Sequence, residues 1–122
     1  MAKKILIVED DNFLRDILSK KLEAEIYTII GVAESVEMFL LLESNKPDLI
    51  VLDLLLPGVD GFEILKKIRQ AEETKNIPVI VFSNLSEEKD IKKARDLGIT
   101  DFVVKSNFTL DEFVEKIKKI LG

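Results

Sequence analysis

The chain has no cysteine and no histidine. Without cysteine it can form neither a disulfide nor a thiolate metal site, which fits a reducing compartment. Without histidine it lacks the commonest general base at neutral pH and the commonest nitrogen ligand for a metal. Any chemistry must therefore run on carboxylates, hydroxyls and lysines. Long apolar runs are missing too, since no stretch approaches the ~20 residues of a membrane span. The N-terminus reads MAKK and passes straight into an apolar run, with no cleavable signal pattern. The cytoplasm is the expected compartment. Basic residues are the minority, 18 against 23 acids, for a net charge of −5. An acidic total argues against a basic face for nucleic acid, so no direct contact with nucleic acid or membrane is expected.

The rest of the composition is that of a folded domain: 47% hydrophobic and 34% charged over 122 residues. One domain of this length buries about two-thirds of its unfolded surface, enough for a core without covalent staples.

Five short runs carry strand signals: KILIV (4–8), YTIIGV (27–32), DLIVLD (48–53), PVIVFS (78–83) and DFVVK (101–105). They are rich in Ile and Val, and several lack polar alternation. Continuous apolar strands suit a sheet covered on both faces, usually a parallel one. Helical patterns lie between them. Leu14, Ile17, Leu18 and Leu22 repeat at helix spacing behind a cap at Asp11 or Asn12. Ser35 is the expected cap of a second helix, which stops at Asn45-Lys46-Pro47. A third follows Gly61 with Ile64, Leu65 and Ile68 inward, and a fourth is capped by Ser86 and ended by Gly98. Thr109 and Glu112 form a capping box for the last, with Phe113, Val114, Ile117 and Leu121 as its inner stripe. Five strand-then-helix units predict a doubly wound α/β domain with right-handed crossovers.

Functional residues in such a sheet gather at the carboxyl ends of the strands. Here those ends are polar. Strand one runs into Glu9-Asp10-Asp11, strand three into Asp53, strand four into Ser83 and strand five into Lys105. A lone aspartate there is about as often structural, bonded to loop amides, and a lone lysine or serine is usually surface or turn. Asp53, however, lies among leucines, where an ionised carboxylate is costly unless paired or metal-bound. More acids beside it worsen the repulsion unless a cation intervenes. Oxygen ligands without His or Cys select a hard ion, Mg²⁺ or its neighbour Mn²⁺. A carboxylate nucleophile, a dication, an ammonium and a hydroxyl together are equipment for moving a phosphoryl group onto an aspartate.

In its acidic pair, its DLLLPGVDG segment (53–61), Ser83 and Lys105, the chain resembles the receiver (phosphoacceptor) domain of two-component response regulators. The spacings fit: Asp53 follows Asp10 by 43 positions, and Ser83 and Lys105 follow Asp53 by 30 and 52. The likeness covers essentially all of 1–122. It implies a flavodoxin-like (βα)5 fold with strand order 2-1-3-4-5 and helices on both faces. It implies Asp53 as phosphoacceptor from a sensor histidine kinase or a histidine phosphotransfer protein. Asp10 would ligate Mg²⁺ directly, Glu9 through water, and Asp53 and the Leu55 carbonyl would complete the protein's ligands. Lys105 and Ser83 would contact phosphoryl oxygens, and Phe102 would be the switch aromatic that turns inward after Ser83 shifts. The face of helix four, strand five and helix five would then change for a downstream protein, with phosphorylation-dependent dimerisation through it admitted. Such a protein catalyses its own phosphorylation and slow dephosphorylation without being a turnover enzyme.

The chain departs from the family's usual pattern in three places. Ser106 follows Lys105 where the family often has a proline after a cis bond, so the isomer of that peptide is open. Asn84 replaces a smaller residue, and its bulk would narrow access for the phosphodonor. Leu55 and Leu85 border the path of the hydrolytic water and cannot orient it, which predicts slow self-dephosphorylation. Other classes fit less well. A haloacid-dehalogenase-type phosphatase needs a second acid two residues after the nucleophile, where this chain has Leu55. An FMN carrier needs a phosphate loop after strand one, where this chain has three acids. A degenerate receiver acting only as an interaction module is the remaining alternative. No output domain follows within the chain, which fits a stand-alone regulator or a receiver cut from a longer one.

Overall fold

The structure is a computed structural model that describes residues 2–122. Strands and helices alternate as β1 (Lys4–Val8), α1 (Asn12–Glu23), β2 (Thr28–Val32), α2 (Ser35–Leu42), β3 (Leu49–Leu52), α3 (Gly61–Gln70), β4 (Val79–Ser83), α4 (Glu88–Asp96), β5 (Asp101–Val104) and α5 (Leu110–Leu121). The strands form one parallel sheet in the order β2-β1-β3-β4-β5. This is the doubly wound architecture that the alternation predicts. Its switch in strand order falls between β1 and β3.

The unbroken apolar strands are explained by a core on each side of the sheet. Leu6, Val8, Ile50, Leu52, Val79 and Val81 face Met38 of α2, Ile64, Leu65 and Ile68 of α3 and Ala94 of α4. Ile5, Ile7, Leu49, Val51, Ile80 and Phe82 face Leu18 and Leu22 of α1 and Phe113, Val114 and Ile117 of α5. Alternate residues of each central strand thus enter opposite cores, so neither face has room for polar residues. No described helix is long and apolar enough to cross a membrane.

Three helices begin on a side-chain cap. Asp11 accepts from Leu14 N–H at 3.1 Å, Asp60 from Phe62 N–H at 2.9 Å and Thr109 from Glu112 N–H at 3.1 Å. Two expected caps are not used. α2 starts from Glu34, which makes no side-chain cap, and Ser35 is instead its buried first residue. α4 starts two residues after Ser86, with Glu87 at the cap and again no side-chain bond. Both helices carry acids in the first turn, Glu37 in one and Glu88 and Asp90 in the other, which favour the positive end of the helix. α2 also ends at Leu42, short of Asn45.

Candidate functional site

Register places the acids. β1 and β3 are neighbours with Val8 opposite Leu52, so the next residues, Glu9 and Asp53, emerge side by side. Their backbones continue the ladder briefly: Asp53 N–H donates to Val8 C=O at 3.1 Å and Glu9 N–H to Val32 C=O at 3.0 Å. Asp10 is exposed at the rim. Glu9, Asp10 and Asp53 each offer a carboxylate oxygen within 4.8 Å of the others.

Lys105 enters from the far side of the sheet. It begins a short 3-10 turn, Lys105–Asn107, directly after β5. Every described peptide bond is trans, including the one to Ser106. The Lys105 ammonium lies 2.6 Å from Asp53 Oδ2 and 2.6 Å from Glu9 Oε1. Only the first is a hydrogen bond. Glu9 Oε1 is reached at ion-pair distance but off line, so this buried oxygen has no hydrogen-bond partner. Glu9 Oε2 accepts from Asp11 N–H at 3.0 Å, and Asp53 Oδ1 from Leu55 N–H at 2.9 Å.

Burial pushes the Glu9 carboxyl above its ordinary value, against the opposing pull of Lys105 and the Asp11 N–H. Burial also pulls the Lys105 ammonium down. The hydrogen bond to Asp53 and the pull of the Asp53 and Glu9 carboxylates outweigh that and leave it raised. Three carboxylates against one ammonium leave a surplus of negative charge, with one buried oxygen unbonded. An all-oxygen donor set of this charge fits a hard divalent cation.

Ser83 is fully buried at the end of β4, and its Oγ accepts from Leu85 N–H at 3.4 Å. Phe102 is already inside, 8% exposed in the core on the α2–α3–α4 side. It needs no large inward turn to be covered. Leu55 is half exposed beside the acids and Leu85 is half buried.

Gly61 shapes the loop that follows Asp53. A Cβ there would stand 2.3 Å from the carbonyl oxygen of Leu54, an impossible contact, so only glycine lets α3 start this close to β3. Two supporting residues escaped the sequence reading. Arg15 donates to Glu9 C=O and to Asn12 Oδ1, both at 2.5 Å, tying α1 to the acidic loop. Its aliphatic stem passes over Gly31, where a Cβ would lie 3.1 Å from Arg15 Cδ. A glycine inside a strand was the available sign of such an approach. Phe82 lies beneath Lys105, with the ammonium 5.6 Å from the ring centroid. Nothing in an apolar strand residue announces that.

Together these features define a parallel α/β domain that gathers three carboxylates, a lysine and a buried serine at the carboxyl edge of its sheet. The response regulator receiver domain family matches residues 5–118, and the chain belongs to that family. It is 35% identical over 121 residues to the phosphate regulon transcriptional regulatory protein PhoB of Rhizobium meliloti, covering 99% of this chain and 53% of that protein. It thus spans about half the length of the transcriptional regulators it matches,. Sporulation initiation phosphotransferase F of Bacillus subtilis is nearer in size: 34% identity over 99% of this chain and 95% of that protein. Among solved structures, the phosphorylated cyanobacterial phytochrome response regulator RcpA aligns with a TM-score of 0.83 at 30% identity, over 98% of this chain and 91% of that one. The Mn²⁺-bound form of another response regulator aligns with a TM-score of 0.82 at 28% identity, over 97% and 91%.

Proposed function

We propose that this receiver domain is a phosphorylation-activated switch in which Asp53 takes a phosphoryl group from a phosphohistidine. The donor would be a sensor histidine kinase or a histidine phosphotransfer protein in the cytoplasm. An Asp53 carboxylate oxygen forms a bond to phosphorus while the P–N bond breaks, and the imidazole keeps that electron pair. A Mg²⁺ ion held by Asp10, Asp53, the Leu55 carbonyl and, through water, Glu9 would neutralise phosphoryl charge. Lys105 would exchange its carboxylate contacts for a phosphoryl oxygen, and Ser83 would exchange its Leu85 N–H contact for another. The observation that carries the reading is the buried Asp53 carboxylate, hydrogen-bonded to Lys105 at 2.6 Å and clustered with two further acids.

The output follows from where the responding groups sit. Ser83 ends β4, Phe102 lies within β5 and Lys105 directly follows it. A shift of Ser83 and Lys105 toward new phosphoryl oxygens would repack Phe102 beneath α4 and alter the α4-β5-α5 face for a downstream protein. NMR spectra of the labelled chain with acetyl phosphate and Mg²⁺ test this. The switch predicts shifts at α4, β5 and α5 in the wild type and none in Asp53→Asn. A phosphorylated protein whose α4-β5-α5 amides stay in place would overturn it.

A further inference from the structure

α2 differs from the other helices. It reads SVEMFLLL, apolar on nearly every side. A helix apolar all round is ordinarily enclosed. This one covers the sheet with one side only. Met38 is fully buried, but Val36 is 64% and Leu40 61% exposed. These two stand one turn apart and so share a face. The apolar surface continues off the helix. Val36 shares a groove with Leu56, Pro57 and Val59 of the β3–α3 loop, and Val59 is 41% exposed.

The charges carried by the helix itself have one sign. Glu34, Glu37 and Glu43 are exposed along α2, and no Lys or Arg occurs between Gly31 and Asn45. Glu34 lines the groove as well, which ends at Asp10 of the acidic cluster described above. Cations lie near the end of the helix: Lys46 and Lys67 each line a pocket with Glu43, and the Lys67 ammonium is 5.9 Å from the Phe39 ring centroid. A second copy of the chain is a poor occupant. A two-fold contact sets a patch against itself and would bring these glutamates together. An anionic lipid surface would be repelled in the same way.

We infer that the outer face of α2 and its groove dock a basic amphipathic helix of a different protein. Aliphatic side chains of that helix cover Val36 and Leu40 and enter the groove beside Pro57. Its lysines or arginines meet Glu34, Glu37 and Glu43. This helix-in-groove contact lies apart from the α4-β5-α5 face and does not depend on Asp53 being the acceptor.

A titration of the labelled full chain tests the inference. The probe is a synthetic helical peptide with leucines at helix spacing and lysines on both flanks; its control carries glutamates for the lysines. The lysine peptide is expected to shift amides of residues 34–43 and 56–59 and to bind less tightly as salt is raised. The Val36→Ser, Leu40→Ser double variant is expected to lose about tenfold in affinity, and Glu37→Lys to weaken binding with the fold intact by circular dichroism. Shifts centred elsewhere, equal binding of the glutamate peptide, or unchanged affinity in the folded double variant would overturn it. So would sedimentation showing a wild-type dimer that Leu40→Ser dissociates, because the occupant would then be a second copy.

Discussion

The Lys105 ammonium lies 2.6 Å from Asp53 Oδ2, and this hydrogen bond joins residues 52 positions apart in the chain. Lys105 is the resident cation of a site built for more positive charge than it supplies. Replacing it with the uncharged Lys105→Met leaves clustered carboxylates without their counter-ion. The variant should lose about 3 kcal/mol of stability in the absence of divalent ions, as when one partner of a buried pair is removed. It should bind Mg²⁺ more tightly, since the competing ammonium is gone, yet accept phosphoryl groups more slowly. Chemical denaturation with and without Mg²⁺, beside a phosphorylation time course, separates the three effects.

Glu9 carries the opposite expectation. Burial holds its carboxyl above the ordinary 4.5, so the folded protein binds that proton more readily than the unfolded chain. Ionised Glu9 therefore costs stability, increasingly as pH rises from 4.5 through the raised folded value. Glu9→Gln should raise the metal-free stability at neutral pH by about 1 kcal/mol while weakening Mg²⁺ binding. Thermal melts with EDTA and with Mg²⁺ check both signs.

Asp101 governs part of the acid limb. Burial pushes its carboxyl up, but the Lys116 ammonium at 2.8 Å, the Phe102 N–H and the charges of Lys116 and Arg95 outweigh burial and leave it below the ordinary 3.8. A lowered folded value contributes stability that is present above 3.8 and lost as pH falls through the folded value. Asp101→Asn should lower stability at neutral pH and flatten its decline in that acid window. Denaturation midpoints from neutral pH downward measure the slope.

The site was legible where physics makes it conspicuous. Glu9, Asp53, Ser83 and Lys105 are polar residues ending apolar runs, and strand alternation alone puts such ends on one rim. Ser35 and Ser86 misled because cap preference is local, whereas the ends of α2 and α4 are set by how Met38 and Ala94 reach the core. The contacts of Arg15 with Glu9 and of Phe82 with Lys105 were hidden for a different reason. They depend on which side of the sheet a side chain enters and on how far a long side chain bends back.

On the proposed mechanism, Leu55 and Leu85 would set how long the phosphorylated state lasts. Leu55 is half exposed beside the acids, and neither side chain can hold a water in line with phosphorus. Leu55→Asn together with Leu85→Gln should shorten the lifetime of the phosphorylated protein about tenfold or more, the scale of a positioned polar group. Decay of the phosphoprotein after donor removal gives the rate, and a longer lifetime would contradict the assignment.

Intact-mass and peptide-mapping spectrometry after incubation with a phosphohistidine donor and Mg²⁺ tests the central claim most directly. The account predicts one added phosphoryl group, on Asp53, lost on adding EDTA beforehand and absent from Asp53→Asn. A wild-type chain that stays unmodified beside a receiver that the same donor does phosphorylate, or a phosphoryl group carried equally by Asp53→Asn, would contradict it.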